Sequence, residues 1–418
     1  MGGARSLSGN DIIVSLDIGT SKVRAIIGEI SNGSINIVGV GSADSEGIRK
    51  GAIVDIDKTV QSIRAAISHA ERMVGIQITD VCVGISGNHI GLQSSHGVVA
   101  VSNEDREIGH EDIDRVLQAA KVIALPPERE IIGIVPKQYL VDGLEGIHDP
   151  RGMIGVRLEV EATIITGAKT AIHNLIRCIE RADLQLSGLL LMSLASGQLA
   201  LSKDEKMLGT CLVDIGAGAT TISIFDQGNL VSTSTIPIGG EFITNDISIG
   251  LRTQTESAEK IKLKFGCAVV EDAGADQVFK VTRIGSNTEK EYTQVDLAHI
   301  VEPRVQEIFQ LIKREVKRLG YSEIPGGYVL TGGTVSMPGV IASAQQILQT
   351  SVRIAIPDYI GVRDPSYTSG VGIIQYAAKF MRGNAAASSK KSSAKKAAPD
   401  KDKPSWFEKL KNWLSEFI

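Results

Sequence analysis

Apolar positions alternate with small and polar ones in two stretches of the chain that share a single plan. In IIVSLDIGTSKVRAIIGEISNGSINIVGV, starting at Ile12, a β-rich run carries Asp17 near its end and breaks at a turn of small residues. A second run closes at Asn32-Gly33, and a third completes the unit. TCLVDIGAGATTISIFDQGNLVSTSTI, starting at Thr210, repeats the plan around Asp214, with a turn at Asp226 to Gly228. Period-two runs separated by glycine turns predict a three-stranded meander in each stretch, and the recurrence predicts two similar lobes.

Helical periodicity follows each meander. In DKTVQSIRAAISHAERM the positions Val60, Ile63, Ile67, Ala70 and Met73 recur at intervals of three and four, which predicts one buried face, with Asp57 as N-cap. His69 falls among the solvated positions of that helix. Further helices are predicted near 110–124, 168–182, 255–265, 305–319, 338–350 and 367–381. Strands mixed with helices in two halves define an α/β class. From Arg382 the pattern stops: GNAAASSKKSSAKKAAPDKDKP has no large apolar residue and predicts a disordered basic tether over 382–404.

Composition narrows the partners. The 418 residues exceed what a single hydrophobic core holds, and 43% apolar with 22% charged residues is an ordinary globular balance. A net charge of -4 gives no reason to expect nucleic acid. Cys82, Cys178, Cys211 and Cys267 lie far apart and form no metal-binding spacing, so they read as core thiols of a reducing compartment. No apolar run approaches the roughly 20 residues of a membrane span.

The chemistry lies in the glycine turns. Asp17-Ile18-Gly19-Thr20-Ser21-Lys22 and Asp214-Ile215-Gly216-Ala217-Gly218-Ala219-Thr220-Thr221 each let backbone N–H groups approach phosphate oxygens without an obstructing Cβ. A dinucleotide fingerprint is excluded, because the third glycine is absent and each turn leads into a strand instead of a helix. TGAKT at 166–170 lacks the Walker spacing.

Two such hairpins, each led by an aspartate that can hold hydrated Mg²⁺, resemble the phosphate motifs of the actin, Hsp70 and sugar-kinase superfamily. That resemblance implies duplicated actin-like, ribonuclease-H-like lobes around a cleft for ATP and Mg²⁺. It carries phosphate contacts onto Asp17, Gly19, Thr20, Ser21 and Lys22, onto Asp214, Gly216, Ala217, Gly218, Ala219 and Thr220, and onto Gly239 and Gly240. The metal falls to Asp17 and Asp214. On the nucleoside side it implies Glu259 and Lys262, spaced i, i+3 on one helix face, and the Gly332-Gly333-Thr334 break after an apolar strand.

Over nearly its full length the chain resembles the FtsA family of bacterial cell-division proteins. This rests on the two aspartate turns, Glu302-Pro303-Arg304, Leu330-Thr331-Gly332-Gly333, and the basic tether with its terminal segment SWFEKLKNWLSEFI. The resemblance implies a first-lobe core over 1–86 with 164–196 and 362–381, and an insertion subdomain over 87–163 that meets neighbouring subunits and later division proteins. It implies a second-lobe core over 197–242 with 305–361, and a smaller subdomain over 243–304. Further implications are filament formation, capture of the C-terminal tail of the tubulin-like protein FtsZ, for which Arg304 is the candidate grip, and a peripheral place on the cytoplasmic face of the membrane at the division septum.

Over 405–418, Trp406, Phe407, Leu410, Trp413, Leu414, Phe417 and Ile418 fall on one side of a helix, opposite Glu408, Lys409, Lys411, Asn412, Ser415 and Glu416. Such a helix lies flat in an anionic lipid interface. Burying these side chains gives on the order of 10 kcal/mol, and ordering the segment costs a similar amount. One tail therefore binds weakly, and a row of tails on a filament binds firmly.

No acidic group or glutamine stands in Leu191 to Gly197 to orient an attacking water, so no catalytic residue is assigned, and at most slow ATP hydrolysis is expected. A sugar or polyol kinase of the same superfamily is the rival reading. It would need a second polar pocket with a catalytic aspartate, which the sequence does not offer.

Overall fold

The computed structural model describes residues 12–31, 33–285 and 289–391. The predicted amphipathic helix over 405–418 and the distal part of the tether fall outside the described residues.

The first lobe opens with β1 (Ile12–Ile18), β2 (Lys22–Ser31) and β3 (Ser34–Asp44), followed by a short hairpin of β4 (Ile48–Arg49) and β5 (Ala52–Ile53). Helix α1 (Ile56–Val74) and β6 (Asp80–Ile85) come next. The chain then enters the insertion, built of β7 (Gly91–Ala100), α2 (His110–Ala120), β8 (Arg129–Val141), β9 (Leu144–Ile147) and β10 (Arg157–Ala168). It returns through α3 (Lys169–Arg181) and β11 (Gln185–Leu191). Helices α4 (Met192–Ala200) and α5 (Lys203–Leu208) lead across to the second lobe.

The second lobe repeats the meander with β12 (Thr210–Ile215), β13 (Thr220–Asp226) and β14 (Asn229–Ile236). Next come α6 (Gly240–Leu251), α7 (Thr255–Phe265), β15 (Val278–Thr282), β16 (Glu289–Thr293) and α8 (Gln294–Arg318). The lobe closes with β17 (Tyr328–Thr331), α9 (Val340–Leu348) and β18 (Val352–Ile354), and α10 (Thr368–Lys391) crosses back to the first.

Among the described residues the two main sheets have one topology. Their orders are β11-β6-β1-β2-β3 and β14-β13-β12-β17-β18. In each, the meander is antiparallel and its first strand pairs in parallel with a strand from beyond the first helix. Each lobe has its own core, with Leu16, Val23, Ile63 and Val83 in the first and Val213, Ile222, Ile247 and Phe309 in the second. The insertion packs α2 on a sheet of order β7-β10-β8-β9 around Val116, Tyr139 and Leu158. Between the lobes, α4 and α10 cross backbone to backbone: a Cβ at Gly372 would stand 2.3 Å from the Ala195 carbonyl oxygen.

Several predicted elements shift. Asp55, not Asp57, caps α1: it is extended at φ -143 and its side chain accepts from Lys58 N at 3.1 Å. Asp57 lies in the first turn, where Arg181 donates to it at 2.5 Å. Val60, Ile63, Ile67 and Ala70 are buried as predicted, but Met73 is 66% exposed. By that turn the 3.6-residue repeat has rotated the stripe to Val74, which packs beside Gly39.

Helix α2 ends at Ala120, short of 124. The helix predicted from 305 begins at Gln294, because a capping box of Thr293 and Asp296 nucleates it upstream. A buried stripe through Leu297, Val301, Val305 and Phe309 carries it past Pro303. A boundary at 304/305 thus cuts through α8, as one at 163 cuts through β10. Helix α10, expected to end near 381, continues to Lys391 and takes in the start of the segment read as disordered tether. Helices α4, α5 and α6 are not predicted by the apolar periodicity: α4 lacks a polar face, α5 is only six residues long, and α6 starts at a double glycine.

Candidate functional site

The two aspartate turns are local copies of one another. Gly19 N donates to Lys22 O at 3.1 Å, and Gly216 N donates to Ala219 O at 3.0 Å, so each glycine closes a tight turn between two strands. Asp17 stands opposite Arg24 in the β1–β2 ladder, and Asp214 opposite Thr221 in β12–β13. The turns face each other across the cleft: a Cβ at Gly218 would lie 2.8 Å from the Thr20 hydroxyl.

The carboxyls end up close enough to repel. Burial pushes the Asp17 carboxyl up to about 6, with Arg24 opposing the shift and Asp214 adding to it. Asp214 is also raised by burial, and is held down in part by a hydrogen bond from Ser369 and by Arg24. Both residues keep partial exposure, so some water reaches them. Arg24 serves both carboxyls while stacking 5.1 Å over the Tyr367 ring, and its buried Nε has no hydrogen-bond partner among the described residues. Two under-neutralised carboxylates and an orphaned donor are what a hydrated divalent cation carrying phosphate would satisfy, since Mg²⁺ takes one or two carboxylates and completes its shell with water and phosphate oxygens. Among the described residues no cluster of three or more His, Cys, Asp or Glu forms an all-protein metal cage.

A second cluster adjoins Gly216. Gly240 N donates to Gly216 O and Glu241 N to Ala217 O, both at 2.9 Å, and Thr334 Oγ1 donates to Gly216 O at 3.0 Å. A Cβ on Gly239 would meet the Gly216 and Ala217 carbonyl oxygens at 2.4 and 2.6 Å, so glycine is required there. Lys262 Nζ binds Gly240 O at 3.1 Å, Thr244 Oγ1 at 2.7 Å and Glu259 Oε2 at 2.7 Å, and its side chain is only 10% exposed. Glu259 also accepts from the Thr244 hydroxyl. The pair ties α7 to the start of α6 instead of floating on the surface. Gly332, at φ 93, lies against the Asp214 carboxyl, where a Cβ would be 2.4 Å from Oδ1. Gly333 follows it, exposed, at the rim.

Other candidates are committed elsewhere. Lys22 pairs with Asp44 at 2.5 Å, and Ser21 is exposed, its carbonyl accepting from Ser45 N at 2.9 Å. Thr220 is fully buried and donates to Ile238 O at 2.7 Å, so its hydroxyl braces the turn from behind. Arg304 lies in the middle of α8 and forks onto Asp246 at 2.5 and 3.0 Å. It also bonds Glu307 and packs 5.8 Å over Phe242.

Sequence reasoning missed Arg24 and Ser369. Arg24 was detectable as a charge within an apolar alternating strand, opposite an aspartate in any register that closes the Gly19 turn. Ser369 had no such signal, because only the crossing of α10 brings it to Asp214. All four cysteines are buried and free. Among the described residues no helix is long and apolar enough to cross a membrane.

Duplicated sheets flanking a cleft with paired aspartate hairpins define a two-lobed protein of the actin-like class. Among solved structures, the fold is similar to the PilM-PilN type IV pilus biogenesis complex, with a TM-score of 0.61 at 14% identity over 88% of this chain and 98% of that one. It is also similar to MreB5 of Spiroplasma citri bound to ADP, with a TM-score of 0.56 at 13% identity over 90% and 98%. Family profiles described as "Cell division protein FtsA" and "SHS2 domain inserted in FTSA" match residues 211–372 and 87–166. The chain is 53% identical to the cell division protein FtsA of Bacillus subtilis (strain 168) over 376 residues, 90% of this chain and 86% of the relative. The chain belongs to the FtsA family of cell-division proteins. The sugar-kinase alternative is therefore set aside.

Proposed function

We propose that the cleft binds Mg·ATP and that bound nucleotide stabilises a closed arrangement of the lobes able to form filaments, which hold FtsZ at the membrane. The reading is carried by one observation: two equivalent turns, Gly19 to Lys22 and Gly216 to Ala219, bring Asp17 and Asp214 into electrostatic contact across the cleft. Family membership and the ADP carried by the similarly folded MreB5 support it.

Asp17 and Asp214 would hold the cation, which supplies charge neutralisation to the phosphates. Thr20, Ala217 and Gly218 would line the phosphate chain with backbone N–H groups, while Gly19 and Gly216, whose N–H groups close the turns, would let the chain approach without an obstructing Cβ. Glu259, Lys262 and Gly332 to Thr334 would flank the nucleoside. Turnover would be slow, since the stretch from Leu191 to Gly197 at the start of α4 carries no acidic residue or glutamine to orient an attacking water. Ser193 is already engaged with Ser223 at 2.7 Å and Thr233 at 3.0 Å.

The terminal segment with Trp406 and Trp413 would moor filaments to anionic lipid on the cytoplasmic face at the septum. The second lobe would capture the FtsZ tail, and the insertion would meet later division proteins. Sedimentation of the full chain with anionic vesicles, with and without Mg·ATP and FtsZ, tests the whole reading. Trp413→Glu is expected to abolish lipid sedimentation and leave ATP binding unchanged; lipid binding that survives the substitution refutes the mooring role.

A further inference from the structure

The β4–β5 hairpin is too short to serve as sheet, yet it is firmly built. Val54 N and Asp55 N both donate to Gly47 O, at 2.8 and 3.1 Å, which fixes its base. Its tip is a two-residue turn in which Lys50 and Gly51 take left-handed conformations, φ 51 and 78. A lysine held there is strained relative to glycine or asparagine.

The tip sits at the junction of every phosphate-side element. On its own lobe, Gly51 N donates to Thr20 Oγ1 at 3.2 Å. Across the cleft, a Cβ at Gly218 would meet the Lys50 amide nitrogen at 3.1 Å, and one at Gly51 would meet Ala219 Cβ at 3.8 Å. Lys50 Nζ lies 5.9 Å from the Phe242 ring centroid, in the first turn of α6 just past Gly239 and Gly240. Arg49 is within electrostatic reach of Glu241 on the same turn.

Apart from Arg49, which faces Glu241, the other cations of the cleft are committed. Lys22 holds Asp44, Lys262 holds Glu259, and Arg24 stands between the two aspartates. Lys50 is exposed and has an aromatic face for a neighbour, a weak partner that an ammonium exchanges readily for a phosphate oxygen. A nucleotide with its nucleoside against Lys262 and Thr334 directs its phosphate chain toward the meeting of the two turns.

We propose that Lys50 reads the terminal phosphate, so that the cleft prefers a nucleoside triphosphate to a diphosphate and the first lobe closes on the second through this hairpin. The inference rests on the nucleotide-binding reading of the cleft. Calorimetric titration of the full chain with Mg·ATP and with Mg·ADP tests it, using the native chain, Lys50→Met and Lys50→Arg.

Lys50→Met is expected to weaken ATP binding about tenfold, the worth of one charge-assisted hydrogen bond, and to change ADP binding less than about twofold. Lys50→Arg should keep the preference for ATP. Equal weakening for both nucleotides, or for neither, overturns the role of Lys50 while leaving the cleft a nucleotide site. Failure of the native chain to bind either nucleotide overturns both. Should Lys50→Met melt early, Lys50→Asn, which tolerates the left-handed backbone, takes its place with the same expectations.

Discussion

Ser369 Oγ donates to Asp214 Oδ2 at 2.9 Å, from the first turn of the helix that runs from the cleft to Lys391. Ser196 on α4 lies 3.0 Å from the same hydroxyl, so the two crossing helices and the Asp214 carboxyl share one hydrogen-bond chain. Through it, Asp214 is hydrogen-bonded to the first turn of α10.

Ser369→Ala is accordingly expected to weaken Mg²⁺-dependent nucleotide binding by about tenfold, the usual effect of losing an outer-shell partner of a metal ligand. Folding stability should fall by about 1 kcal/mol. Nucleotide titrations over a range of Mg²⁺ concentration, beside thermal melts, measure both. An unaltered Mg²⁺ dependence would show that Ser369 supports only the helix crossing.

Asp17 sets a pH dependence. Its folded carboxyl titrates at about 6, against 3.8 for the ordinary group. Between those values the folded state holds a proton that the unfolded state has released, so this group's contribution favours the fold at low pH and is lost as pH rises through about 6. The shift corresponds to at most about 3 kcal/mol, less where cleft water screens the group. Asp17→Asn should therefore stabilise the ligand-free protein at pH 7.5 relative to the native chain, with the difference shrinking toward pH 4, and should abolish Mg·ATP binding. Denaturant melts of both proteins across pH 4–7.5 decide this; a variant less stable at pH 7.5 would show the carboxylate to be favourable in the fold.

Arg304 gives opposed expectations for two substitutions. Asp246 already occupies its fork, so an incoming carboxylate from an FtsZ tail must compete with it. Arg304→Ala should lower tail-peptide affinity at least tenfold, whereas Asp246→Asn should raise it several-fold by freeing the guanidinium. Fluorescence anisotropy with a labelled tail peptide distinguishes the two. Losses in both variants would identify the pair as a strut between α6 and α8.

Much of this protein is written locally. The duplicated meanders follow from period-two alternation and glycine turns, and each aspartate turn closes with a hydrogen bond within its own four residues, at Gly19 and at Gly216. The apolar stripe of α1 predicts its buried face through Ala70, because the helical repeat keeps side chains on one side without help from elsewhere. Element ends were less legible. Asp55 and Asp57 are equivalent as a cap on paper, and the backbone's entry from the hairpin base at Gly47 selects Asp55 and leaves Asp57 to Arg181.

What the chain's order of residues determined by itself was two β–turn–β units with phosphate-sized glycine turns, a basic tract, and a terminal apolar stripe. The resemblance carried by those turns already placed Asp17 and Asp214 at one cleft; only the tertiary structure decided that Ser369 and Arg24 orient and partly neutralise them, and that Lys50 sits between the turns. The reason is physical: strand and turn formation depend on neighbours a few residues away, whereas these carboxyls are brought together by the crossing of α4 and α10, which depends on packing between segments far apart in the chain.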